Sequence, residues 1–101
     1  MRERMRESEY QSKLIKKLRL LFPGCVILKN DPGYLQGVPD LVIFYGNRYA
    51  FLEVKAAKTA PVQPNQRYYV ELLNEMSFAA FICPSTESEI LDALERAFLG
   101  I

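Results

Sequence analysis

The sequence predicts a mixed α/β (α+β) fold in which a central mixed sheet is flanked by helices, in the order α-β-β-β-α-β-α. Apolar residues recur at helical spacing in three segments. Short apolar runs rich in β-branched and aromatic residues lie between these segments, and proline or glycine stands at most of the boundaries. Helices and strands in this order pack as layers around one sheet.

Four elements are predicted in the first half of the chain. Tyr10, Leu14, Leu18 and Leu21 lie at helical spacing, and Pro23-Gly24 ends that helix. Two strand-like runs further on are separated only by Gly46-Asn47, which is typical of a two-residue hairpin turn. The predicted elements are a helix over 7–22 and strands over 25–29, 40–45 and 48–55.

Three elements are predicted in the second half. A helix over 65–76 carries Tyr69, Leu72, Leu73 and Met76 on one face, and an apolar strand follows over 78–83. Thr86-Glu-Ser-Glu89 has the pattern of a capping box. It is expected to open a last helix with Ile90, Leu91, Leu94 and Phe98 on its buried face.

Length and composition indicate one domain spanning residues 1–101. Half of the residues are apolar, which permits a core, although a domain this small gains from forming a homodimer. No apolar run is long enough to cross a membrane, and the charged N-terminus lacks the apolar stretch of a signal peptide. We therefore expect a cytoplasmic protein without a membrane partner.

The absence of histidine excludes several kinds of catalytic site. Ser-His-Asp and Cys-His catalysis, His-metal nucleases and most zinc sites all need that residue. Cys25 and Cys83 stand far apart in apolar segments, so we expect two buried thiols without a disulfide or metal role. A metal site would need oxygen ligands, which favour a hard cation such as Mg²⁺ or Mn²⁺.

The predicted hairpin places two carboxylates opposite each other. If Gly46-Asn47 is the whole turn, residues whose numbers add to 93 are paired, and Asp40 faces Glu53. Two like charges so placed repel, whereas a divalent cation between them would convert repulsion into chelation. Lys55 lies on the same face as Glu53. The alternative is an ordinary solvated hairpin face, and a register slip of one residue would separate the pair.

This group of residues suits phosphodiester hydrolysis. A metal held by Asp40 and Glu53 would polarise the phosphate and acidify a bound water. Lys55 could orient or help deprotonate that water, or stabilise the developing negative charge.

Two helices offer further site residues. We favour Glu7, on or near the inward stripe of the first helix, as an outer metal ligand, with Gln11 one turn behind it. Glu9 falls on the polar side, and the alternative for Glu7 is a favourable charge on the helix dipole. Gln66 either extends from the start of the later helix to the site or makes a helix-start hydrogen bond.

The motifs Gly37-Val-Pro-Asp-Leu41, Glu53-Val-Lys55 and Gln66 with Tyr69 resemble those of the VRR-NUC family, a branch of the PD-(D/E)XK nuclease superfamily. The resemblance covers nearly the whole chain and implies a restriction-endonuclease-like core. It also implies that Asp40 and Glu53 are metal ligands and that Lys55 is the catalytic lysine. A glutamate in the first helix is frequent in the family, and Glu7, Glu9 or the Gln11 position could be its equivalent here.

The resulting hypothesis is a Mg²⁺- or Mn²⁺-dependent DNA endonuclease. Small stand-alone family members resemble phage-encoded homodimers that act on branched DNA, so Holliday junctions and a bacterial or phage-infected cytoplasm are expected. Lys58 and Arg67 are candidate phosphate contacts, and Tyr34 could stack on a base. The rival functions are a non-catalytic DNA-binding module and a structural subunit of a larger nuclease or helicase complex. The sequence does not exclude RNA as the substrate.

Overall fold

A computed structural model describes residues 5–101 and contains the predicted elements in the predicted order. Arg4 and the residues before it lie outside the described part. The helices and strands are α1 (Glu7–Leu21), β1 (Val26–Lys29), β2 (Leu41–Tyr45), β3 (Arg48–Val54), α2 (Pro64–Met76), β4 (Phe78–Ile82) and α3 (Glu87–Leu99). The predicted boundaries differ from these by one residue at several ends. Such differences are common because the terminal residues of a helix or strand lack some of their hydrogen-bonding partners.

The strands form one mixed sheet in the order β1-β2-β3-β4. β1 and β3 are both antiparallel to β2, whereas β4 is parallel to β3. The parallel pair is made possible by α2, which returns the chain to the starting end of β3 before β4 begins. The predicted mixed sheet flanked by helices is therefore confirmed.

One face of the sheet carries the main core. Alternate strand residues such as Ile43 and Leu52 are fully buried there against α1 and α3. Phe22, Tyr45 and Phe98 pack their rings together at one end of this layer, with centroids 5.1–5.6 Å apart. The same alternation directs Glu53 to the opposite face of β3.

The opposite face is only partly covered. α2 packs against β3 and β4 and buries Val70 there. Toward β1 and β2 the same face presents large apolar side chains that remain between 37% and 55% exposed: Val26, Leu28, Phe44 and Tyr49. The register of the strands places these side chains and Glu53 on one surface.

The β2–β3 hairpin has the predicted register. Its turn is Gly46-Asn47, and Tyr45 pairs with Arg48 as the first of an unbroken series that ends with Leu41 opposite Leu52. Gly46 has a φ of 63°, which a turn of this length requires at its first central residue. Every pair has the predicted sum of residue numbers.

Some predicted details are wrong. Leu21 and Met76 stand at helical spacing with the apolar residues of their helices, but they are 42% and 61% exposed; Phe22 is the next buried residue after Leu18. Cys25 is a half-buried free thiol, whereas Cys83 is buried as expected. Thr86 is the N-cap of α3, but its hydroxyl bonds to the main chain of Cys83, so the predicted capping box does not form.

Within residues 5–101, no helix has the length and apolar character needed to cross a bilayer.

Candidate active site

Asp40 and Glu53 face each other at the end of the hairpin, one step beyond the last pair of the ladder. The Asp40 N–H donates to Glu53 Oε1 at 3.1 Å, and the Val54 N–H donates to Asp40 Oδ2 at 2.9 Å. Each carboxylate is thus fixed by a main-chain donor from the opposing strand segment. The opposition predicted from the turn is confirmed.

Both carboxyl groups are removed from water. Glu53 is 3% exposed and is the one buried polar or charged side chain among residues 5–101. Burial, followed by the charge of Asp40, raises the pKa of Glu53 to about 7, although Lys55 acts in the other direction. Burial also raises the pKa of Asp40, although the hydrogen bond from the Val54 N–H and the charge of Lys55 both act to lower it. Ionising both groups therefore costs free energy unless a cation is close to them.

Lys55 is held at this pair by three groups. Its Nζ donates to the carbonyl oxygen of Pro61 at 3.0 Å and to Gln66 Oε1 at 2.8 Å. The same ammonium lies 3.8 Å from Glu53 Oε2, and the lysine side chain is only 12% exposed. A lysine held in this way presents a fixed positive charge beside the carboxylates.

Gln66 makes both of the interactions that the sequence left as alternatives. Its Oε1 accepts from the Gln63 N–H at 3.0 Å, which satisfies a donor at the start of α2. Its Nε2 donates to Glu53 Oε2 at 2.9 Å while Oε1 also accepts from Lys55. One amide therefore connects the helix end, the buried carboxylate and the lysine.

Asn30 is a site residue that the sequence analysis did not find. Its N–H donates to the carbonyl oxygen of Asp40 at 2.8 Å, and its Nδ2 donates to that of Pro39 at 2.6 Å. These bonds fix the Pro39-Asp40 main chain from the β1 side. The sequence gives no signal for this contact, because the long connection between β1 and β2 leaves their register undetermined.

Gly37 brings the loop before Asp40 against the first turn of α2. Its φ is +93°, and a Cβ there would lie 2.8 Å from the main-chain carbon of Asn65. Only glycine permits this approach at this backbone conformation. The approach places the loop that carries Asp40 beside the helix that carries Gln66.

The first-helix candidates lie further out. Glu7 is exposed in the first turn of α1, not on the buried stripe, and its charge contributes to the raised pKa of Glu53. Gln11 is half-buried, and Glu9 is exposed with its carboxylate 3.9 Å from Arg6. Within residues 5–101, no three acidic or cysteine side chains are close enough to hold a metal together. The role of Glu7 as an outer ligand remains a prediction.

The predicted DNA contacts are exposed residues of the segments that flank the site residues in sequence. Tyr34 is 90% exposed in the loop before Asp40. Lys58, in the loop after β3, and Arg67, in the first turn of α2, are also exposed. None of the three is required by the packing, so all are free to contact a ligand.

The donor set fits a hard divalent cation. Mg²⁺ is commonly bound by one or two carboxylates, with waters and substrate phosphate completing its shell. Asp40 and Glu53 supply two carboxylates whose mutual repulsion a cation would relieve. Within the described residues, no donor bonds to Asp40 Oδ1, which leaves that oxygen available.

The chain matches a known protein family. A family model described as "VRR-NUC domain" matches residues 4–87, which include the hairpin, α2 and β4. No match was found among curated proteins or among solved structures. The match covers most of the chain, and the chain therefore belongs to the VRR-NUC family and carries a nuclease domain.

Proposed function

We propose that the protein is a Mg²⁺- or Mn²⁺-dependent endonuclease that hydrolyses DNA phosphodiester bonds at Asp40, Glu53 and Lys55. The observation that carries this proposal is the opposed, buried carboxylate pair with a lysine fixed beside it, within a VRR-NUC domain. A fold gains no stability from two carboxylates placed in this way, so the arrangement favours a role in binding a cation.

Each residue has a defined part in the mechanism. Asp40 and Glu53 would hold the cation, which when bound supplies positive charge that stabilises the phosphate in the transition state and eases ionisation of the attacking water. Lys55 Nζ orients that water or neutralises charge on the phosphate oxygens. Gln66 and the Pro61 carbonyl oxygen fix the direction of the lysine.

Branched DNA, with four-way junctions as the first candidate, is the proposed substrate class. Exposed basic and aromatic residues in the neighbouring segments could contact the DNA backbone and an unstacked base: Lys58, Arg67 and Tyr34. Two sites held together in one assembly would suit paired cuts in a junction.

We also propose a homodimer, which the uncovered face of the sheet supports. Among residues 5–101, several large apolar side chains on that face stay partly exposed, and they lie on the same surface as Glu53: Val26, Leu28, Phe44 and Tyr49. Burying such a patch between two copies removes apolar area from water. Light scattering at micromolar concentration tests this, and a monomer that still cuts junctions would contradict it.

Cleavage of labelled four-way junction, flap and duplex DNA tests the activity. Cutting should require Mg²⁺ or Mn²⁺ and stop with a chelator. Lys55→Ala should abolish cutting while calorimetry still detects metal binding, because a positively charged lysine is not a metal ligand. Lys16→Ala, on the exposed side of α1, is the matched control and should cut normally. Cutting that persists in excess chelator would refute the mechanism.

A further inference from the structure

A crevice of about 150 Å³ lies beyond the carboxyl ends of β3 and β4. The loop after β3 forms one wall and the first turn of α3 forms another, with Lys55 at its edge. β3 and β4 are the parallel pair of the sheet, and ligands of open α/β sheets bind outside the carboxyl ends of parallel strands. The crevice thus adjoins the proposed active site through Lys55 but includes neither carboxylate.

The lining of the crevice is chemically specific. Val62, Phe81 and Ile90 make it largely apolar, while Thr86 contributes a hydroxyl and Glu89 a carboxylate. An apolar lining disfavours a phosphate. The Thr86 hydroxyl is already bonded to the main chain of Cys83, but an aliphatic side chain would offer no donor to the Glu89 carboxylate at the exposed rim. A flat heterocycle with apolar faces and a polar edge satisfies both parts of the surface.

The volume of the crevice matches a ligand with a single ring system. Pockets for drug-sized ligands start at roughly 300 Å³, and this crevice has about half that volume. A single base fits such a space, whereas a base pair does not. Lys58 also lines the crevice and is exposed, so its charge can meet the phosphate of a nucleotide bound there.

We propose that the crevice receives one unpaired nucleobase next to the scissile phosphate, and that Glu89 accepts a hydrogen bond from the exocyclic amino group of that base. Adenine, cytosine and guanine carry such a group, and thymine does not. The inference rests on the proposed function, because the phosphate attached to this base is the one that lies at Asp40 and Glu53.

The first experiment maps the cut site on flap DNA. Two further substrates then each carry an abasic nucleotide, one on the 5′ side of the cut and the other on the 3′ side. Wild-type protein should cut one of the two abasic substrates at least about fivefold more slowly than the intact one, the size expected for losing one bound base. Thymine at that position should be cut more slowly than adenine, and Glu89→Ala should remove this difference.

A pair of variants on one loop tests the location. Ala57→Phe fills the crevice from its wall and should cut intact and abasic DNA at the same reduced rate. Thr59→Phe is the matched control, since Thr59 is exposed on the same loop and does not line the crevice. It should discriminate between the two substrates as wild type does. Melting curves establish that both variants are folded.

A binding measurement keeps the test independent of cleavage. A flap with 2-aminopurine as its first unpaired nucleotide is titrated with protein in the presence of Ca²⁺, and its fluorescence should change with wild type but not with Ala57→Phe.

Metal-dependent cutting with equal rates on intact and abasic DNA overturns the inference and leaves the proposed function intact. Absence of any cutting refutes the proposed function instead. A change of oligomeric state in Ala57→Phe, without loss of base discrimination, would show that the crevice is a protein interface and also overturns the inference.

Discussion

Replacing Asp40 with Asn should stabilise the metal-free protein near pH 8. The pKa of Glu53 is raised from 4.5 to about 7, with burial as the largest cause and the charge of Asp40 second. Because the folded protein binds this proton more tightly than the unfolded chain, the stabilising effect of the proton is present below pH 4.5 and is lost as the pH rises through about 7. Ionised Glu53 therefore lowers the free energy of unfolding by about 3 kcal/mol near pH 8.

The Asp40 charge is a smaller cause of the raised Glu53 pKa than burial is. We expect Asp40→Asn to recover about 1 kcal/mol near pH 8, which for a domain of this size raises Tm by about 5 °C. Asn keeps an oxygen that can accept the Val54 N–H, so the shape of the site is preserved. Near pH 5 the gain should shrink, because Glu53 is then largely protonated in the folded protein.

Thermal unfolding followed by circular dichroism in a chelator, at both pH values, measures the effect. Asp92→Asn removes an exposed carboxylate from α3 and should leave Tm unchanged. Millimolar Mg²⁺ should raise the Tm of wild type, because the folded site binds metal more tightly than the unfolded chain does, and should not raise that of Asp40→Asn. A lower metal-free Tm in Asp40→Asn, with the metal response retained, would refute the opposed-carboxylate argument.

Three further substitutions test the surroundings of the site. Gln66→Ala should slow cleavage at least about tenfold, since the proposed catalytic lysine loses a partner; wild-type rates in the junction assay would contradict this. Gly37→Ala should destabilise by about 2 kcal/mol in urea unfolding, because its Cβ meets the first turn of α2. Gly24→Ala is its control, with a φ of +89° but open space around it, and should cost less. Tyr10→Phe should cost about 1 kcal/mol in the same assay through loss of its hydrogen bond to Glu87, and an unchanged midpoint would exclude that bond as a contributor.

The hairpin and its carboxylate pair were predictable because their geometry is local. A two-residue turn fixes the pairing of every residue after it, and so Gly46-Asn47 determined which residue faces Glu53. Periodicity likewise determined the buried faces of α1 and α3, where each helix packs on one continuous layer. These features depend on spacing along the chain and on no distant contact.

Features that depend on distant segments were not predictable. Asn30 reaches Pro39 and Asp40 across a connection whose conformation no motif specifies. The Pro61 carbonyl oxygen binds Lys55 only because of how the loop after β3 folds back. Thr86 matched a capping pattern, yet its hydroxyl bonds to Cys83, a main-chain partner that spacing alone does not reveal.

Gln66 lies in the first turn of α2 and binds Lys55. Fraying of this helix end therefore affects the orientation of the lysine. Helix ends open and close more often than helix centres, and each opening here releases the amide that holds Lys55 and Glu53. The fraction of molecules in which Gln66 holds the lysine therefore cannot exceed the fraction with an intact first turn. Substitutions at Gln63 or Pro64, which touch neither carboxylate, would then change the rate of hydrolysis through the opening equilibrium of one helix end.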